Sequence, residues 1–284
     1  MKNKEVPATI YSWFFIICLI FPLMQGIISA EPSQDVVYSQ QSFFQEQMTS
    51  PCSVESSSDI LQMIQQVNTS HLKTYIQTIQ DFGPHPTGSE SCKALATYLY
   101  DTLDGFGLSV RRDPWRYKLR SGDNIEATLP GTIDSPGVII VCAHYDSVQI
   151  SPGADDDGSG VSIVLAVADI MSKYSFNSTV RFVLFTGEEQ GLLGSYKYAQ
   201  DAYRNDDHII GVLNLDGVGY ANTTEDGTKI KHHTNDQSAW MVDVSTTIAT
   251  LYAEEIELEI IRRPHVAYSD HQSFVTFGYD ASYL

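Results

Sequence analysis

The stretch IIVCAHYDSVQISPGADDDGSG, residues 139–160, passes from an unbroken apolar run into a His-x-Asp pair and then into an acidic turn flanked by glycine. Residues 138–142 are all Val, Ile or Cys, the pattern of a short strand covered on both faces by helices. Polar chemistry begins where this strand ends. His144 and Asp146 have the spacing at which a carboxylate can fix the tautomer of a metal-binding imidazole, and Pro152-Gly153 turns the chain into Asp155, Asp156 and Asp157. Three adjacent carboxylates repel one another; a solvated loop tolerates this, and a divalent cation converts it to attraction.

Outward from this stretch the pattern repeats. A helix over 159–171, a strand over 180–185, a helix over 192–202 and a strand over 209–215 make βαβαβ, hence a parallel sheet core. Ligands of such sheets bind beyond the carboxyl ends of the strands, so the residues that follow each strand carry the information. They are His144 and Asp146 after the first, Gly187-Glu188-Glu189 after the second and Asp216 after the third. A helix over 237–251 and a strand over 256–261 then lead to Ser269-Asp270-His271. Toward the N-terminus, Ile60, Leu61, Ile64 and Val67 recur at helical spacing, Asn68 opens a second helix and Ser89 caps a third. Strands over 108–117 and 124–129 read as an antiparallel pair around a basic, Gly-containing turn. The expected fold is α/β: a three-layer α/β/α sandwich with a mixed, centrally parallel sheet.

With 284 residues, 43% of them hydrophobic, the chain can bury one large core, and residues 59–284 are expected to form a single domain. The 35 acidic against 17 basic residues give a net charge of -18, which argues against a nucleic-acid partner. Lys2, Lys4, an apolar run over 11–24 and the small residues Ser29 and Ala30 have the order of a secretory signal over 1–30. The alternative is an uncleaved anchor that tethers the chain to a membrane; either way the body is expected to be secreted or extracytoplasmic. Residues 31–58, rich in Ser and Gln, read as a flexible arm. In an exported chain Cys52 and Cys92 are expected to pair, whereas Cys142 lies within the buried strand.

His144, Asp156, Glu189, Asp216 and His271 form a set of nitrogen and oxygen donors without thiolate, which suits two borderline ions such as zinc. One bridging carboxylate leaves each ion one imidazole and one further carboxylate, and such a pair can activate a water near neutral pH. Adjacent residues after a strand point in different directions, so Glu189 can bind metal while Glu188 stays free to take the water's proton.

AHYDS, PGADDDGSG, FTGEEQGLLGS, NLDGVG and SDHQSF, in this order from residue 143 to residue 274, resemble the motifs of the co-catalytic di-zinc aminopeptidases, peptidase family M28. The resemblance implies that His144, Asp156 and Asp216 hold one zinc, that Asp156, Glu189 and His271 hold the other, that Glu188 is the general base and that Asp146 orients His144. It selects Asp156 over its neighbours as the bridge and implies a cis peptide on its C-terminal side. The implied activity is exopeptidase action on peptides, an aminopeptidase first. Carboxypeptidase or dipeptidase action, a glutaminyl cyclase-like transferase and a non-catalytic binding domain are the alternatives within the same fold. Two departures stand out. Gly217-Val218 replaces a frequent Met-Ile after the aspartate of NLD, and the closing loop and helix that the resemblance implies do not follow residue 284, so a C-terminally truncated domain is expected.

Overall fold

The computed structural model of the chain describes residues 57–133 and 137–284. The expected leader over 1–30, nearly all of the arm over 31–58, and Cys52 lie outside these residues.

Three helices come first: α1 (Ser58–Gln65), α2 (Thr69–Asp81) and α3 (Glu90–Gly105). Each starts at a polar cap. Side-chain oxygens of Ser57, Asn68 and Ser89 accept hydrogen bonds from first-turn N–H groups that have no partner inside the helix. Replacing Asn68 with Ala is expected to cost about 1 kcal/mol, read as a lower midpoint of thermal unfolding, with Asn68→Ser close to wild type. Cys92, in the first turn of α3, is buried, and its expected partner Cys52 lies outside the described residues. Burial raises its pKa to about 12 and keeps it a thiol.

The antiparallel hairpin of β1 (Ser109–Tyr117) and β2 (Arg120–Leu129) turns on Lys118 and Leu119 rather than on the Gly-containing segment. Gly122 instead lies within β2 opposite Trp115, where a Cβ would come within 2.7 Å of Thr186 Oγ1 and 3.0 Å of the indole.

The apolar run becomes β3 (Val138–His144). Its alternation sends Ile139, Val141 and Ala143 into one apolar cluster and Ile140 and Cys142 into the other. There follow α4 (Gly158–Met171), β4 (Thr179–Phe185), α5 (Leu193–Arg204) and β5 (Ile209–Asn214). β3 pairs in parallel with both β4 and β5, as the βαβαβ pattern requires. β6 (Lys229–Thr234), α6 (Ala239–Leu251), α7 (Ala253–Ile256), β7 (Glu259–Pro264), α8 (His271–Thr276) and β8 (Ala281–Tyr283) complete the described chain. The strand expected over 256–261 starts only at Glu259, because Ile256 ends a helical turn and is buried.

The sheet has eight strands in the order β1-β2-β4-β3-β5-β8-β6-β7. Its centre is parallel, while the β1–β2 hairpin, the β2–β4 pair and the β6–β8 contact are antiparallel. Helices α3, α4 and α6 supply Leu95, Val164 and Ile248 to the cluster on one face, and α5 and α8 supply Tyr198, Ala199 and Phe274 to the other. This is the mixed, centrally parallel three-layer α/β/α architecture. No helix among the described residues is long and apolar enough to cross a membrane.

Candidate metal centre

β4, β3 and β5 are neighbours and parallel, so their carboxyl ends share one edge of the sheet. His144, Glu188 and Asp216 meet there, with one donor atom of each within 4.8 Å of the others. His144 is buried. Its Nδ1 donates to the main-chain oxygen of Asp146 at 3.0 Å, while the Asp146 carboxylate stands farther off at 3.8 Å. The carbonyl therefore holds the ring. Nε2, itself buried, lies 3.2 Å from Asp156 Oδ1 and 3.6 Å from Asp216 Oδ1 and aligns a hydrogen bond with neither.

The Asp146 carboxylate binds elsewhere. Its Oδ2 accepts the Thr87 hydroxyl at 2.8 Å and its Oδ1 the Glu188 N–H at 3.3 Å, while Thr87 Oγ1 accepts the Gly187 N–H at 2.9 Å. Asp146 and Thr87 together fix the turn that carries Glu188. Thr87→Val keeps the shape but leaves a carboxylate oxygen and an N–H without partners; a loss of about 1–3 kcal/mol is expected, measured by chemical unfolding, with Thr87→Ser near wild type.

The three adjacent aspartates have separate surroundings. Asp157 caps α4: Oδ1 accepts from Gly160 N–H at 2.9 Å and Gly217 N–H at 3.3 Å, and Oδ2 from His144 N–H at 3.1 Å. Asp155 Oδ1 accepts from Gly219 N–H at 2.8 Å. Asp156, whose peptide bond to Asp157 is cis, keeps its side chain 66% exposed and turned toward His144.

Burial favours neutral His144, yet Asp156 and Asp216 outweigh it and hold its pKa well above the ordinary imidazole value. Burial likewise opposes ionisation of Asp216, but His144 overcomes it and lowers that pKa. Glu188 is pushed up to about 8 by burial, reinforced by Asp270, Asp216 and Asp146 and opposed by His144. Carboxylates thus crowd around one imidazole and favour its protonated form. Such a donor set fits a divalent ion, which would take the proton's place at Nε2.

The other two expected ligands flank this group. Glu189 lies outside the 4.8 Å cluster; burial first, then the charge of Asp156, raises its pKa. His271 stacks on Tyr283 at 5.2 Å with ring planes 6° apart; its Nε2 donates to the Val266 oxygen at 2.7 Å and its buried Nδ1 has no partner. Burial lowers its pKa to about 4, leaving a neutral ring able to bind metal. Three further residues escape a reading of the sequence: Thr87, Tyr283 and Asp270. Asp270 is fully buried with both carboxylate oxygens unpartnered, and its place between Ser269 and His271 was the one available signal.

The fold and this donor set define an α/β protein with a carboxylate–imidazole centre at the ends of adjacent parallel strands. The chain belongs to Peptidase family M28, whose model matches residues 124–284. It is 35% identical over 155 residues to Aminopeptidase YwaD of Bacillus subtilis (strain 168), a match covering 54% of this chain and 33% of that protein. The chain thus spans about a third of that relative's length. With Leucine aminopeptidase 1 of Ajellomyces capsulatus (strain NAm1 / WU24) it shares 24% identity over 282 residues, 90% of this chain and 70% of the relative. Among solved structures, the aminopeptidase from Aneurinibacillus sp. strain AM-1 superposes with a TM-score of 0.64 at 17% identity, covering 77% of this chain and 85% of that one.

Proposed function

We propose that the chain is an exported zinc-dependent aminopeptidase that removes amino-terminal residues from peptides. In this reading His144, Asp156 and Asp216 hold one zinc ion, and Asp156, Glu189 and His271 hold a second. The observation that supports it most is the meeting of His144, Glu188 and Asp216 at one sheet edge, with Asp156 turned toward the same imidazole nitrogen. Zinc, when bound, supplies Lewis acidity toward the scissile carbonyl and makes water acidic enough to attack at neutral pH. The Glu188 carboxylate takes the proton of the attacking water and delivers it to the leaving amine. Asp146 holds the main chain of Glu188 through one carboxylate oxygen and the His144 ring through its carbonyl. The buried surroundings of His144 and Asp270 keep bulk water from the inner side of the site.

One observation favours a second reading, in which Glu188 rather than Glu189 is a metal ligand: its carboxylate belongs to the 4.8 Å group. The overall proposal is tested by elemental analysis of purified protein together with matched peptides bearing free or acetylated amino termini. Two zinc ions per chain and cleavage of the free series alone are expected. Cleavage from the carboxyl end, or of neither series with zinc bound, would refute the assignment.

A further inference from the structure

A cavity of about 420 Å³ opens between α3 and the β1–β2 hairpin. β2 runs antiparallel to β4, with Ile125 opposite Leu184 and Leu129 opposite Val180, so the hairpin turn lies at the sheet edge where Glu188 sits. Thr87 and Thr186 line this cavity, and Thr87 also bonds to Asp146 and Gly187, so this residue borders both the cavity and the turn that carries Glu188.

The lining is basic in a chain whose net charge is -18. Of its three cations, Lys93 is paired with Glu90 at 2.7 Å. Arg112 leans on Asp123 at 3.6 Å, donates to Thr97 at 3.0 Å and lies over the Tyr100 ring. Arg116, an exposed lining residue, forms no ion pair or hydrogen bond among the described residues. One guanidinium of the lining is therefore without a partner among the described residues, and Pro114, Trp115 and Tyr145 add apolar lining. A guanidinium presents paired donors that match a carboxylate, and a small positive region on an acidic molecule concentrates anions locally.

We propose that this cavity is a subsite for the free C-terminal carboxylate of a short peptide, with Arg116 as its principal partner. The proposal rests on the aminopeptidase reading: a peptide whose amino end lies at the metal centre reaches along the same sheet edge, and the cavity selects chains short enough for their carboxylate to arrive there. Longer or amidated peptides lose that contact.

The test compares acid with amide in two ways. By calorimetry, N-acetyl-Ala-Phe is expected to bind the wild-type protein at least about tenfold more tightly than its C-terminal amide, as one charged hydrogen-bonded contact allows. Arg116→Gln, at an exposed strand position, is expected to make the two equal, and Ser121→Trp at the rim to abolish binding of both by filling the mouth. In turnover, KM for Leu-Gly-Gly is expected to rise in Arg116→Gln to that of Leu-Gly-Gly amide, with kcat unchanged. Equal binding of acid and amide by the wild type, no detectable binding of either, or an acid preference that survives in Arg116→Gln overturns the subsite. Absence of turnover with every peptide overturns the aminopeptidase reading instead, and the calorimetric comparison still decides what the cavity binds.

Discussion

Glu188→Gln is expected to lower turnover by about 10²- to 10⁴-fold while zinc content stays at its wild-type value. The amide keeps the size of the side chain and the backbone bond to Asp146, but it cannot accept the water's proton. Unchanged zinc separates this from loss of a ligand, which matters because the Glu188 carboxylate sits within 4.8 Å of donor atoms of His144 and Asp216. If the variant loses one zinc, Glu188 is a ligand and the second reading stands. Near-normal turnover with full zinc would remove the general-base role altogether. Glu189→Gln makes the complementary measurement, with loss of metal expected alongside loss of turnover.

The parallel core was legible because buried strands announce themselves. Residues 138–144, 179–185 and 209–214 are apolar almost throughout, and the donors follow at their carboxyl ends as the chain topology requires. β6 was not legible: Lys229-Ile-Lys-His-His-Thr234 offers little apolar alternation and finds its place through pairing with β7 and β8, contacts remote in sequence. The same limit applied at the site. His144 and Asp216 could be named from local pattern, but Thr87 matters through its bond to Gly187, 100 residues away. The hydrogen bond that orients His144 goes to the backbone carbonyl of Asp146 rather than to its side chain, and residue identity carries no record of that choice. The cavity was invisible for a related reason, since Arg112 reaches Thr97 and Tyr100 of α3 only through tertiary packing of the β1–β2 hairpin.

Asp156→Asn is expected to deplete both zinc sites, His271→Ala to deplete one, and Asp155→Asn neither. The contrast follows from how the three adjacent aspartates are used. Asp157 has three backbone N–H groups on its two oxygens and cannot turn to a metal without uncapping α4 and releasing the main chain at His144 and Gly217. Asp155 is anchored to Gly219 on one oxygen. Asp156 has neither restraint and lies 3.2 Å from the imidazole nitrogen that would face the metal, so its two oxygens are free to serve two ions. Replacing one oxygen by an amide nitrogen removes the charge that offsets both, and a donor lost from a metal site typically weakens binding more than the 10- to 100-fold seen for outer partners. Two tightly retained zinc ions in Asp156→Asn, counted by elemental analysis after exhaustive dialysis, would move the bridge to another carboxylate, and a matching loss in Asp155→Asn would identify which.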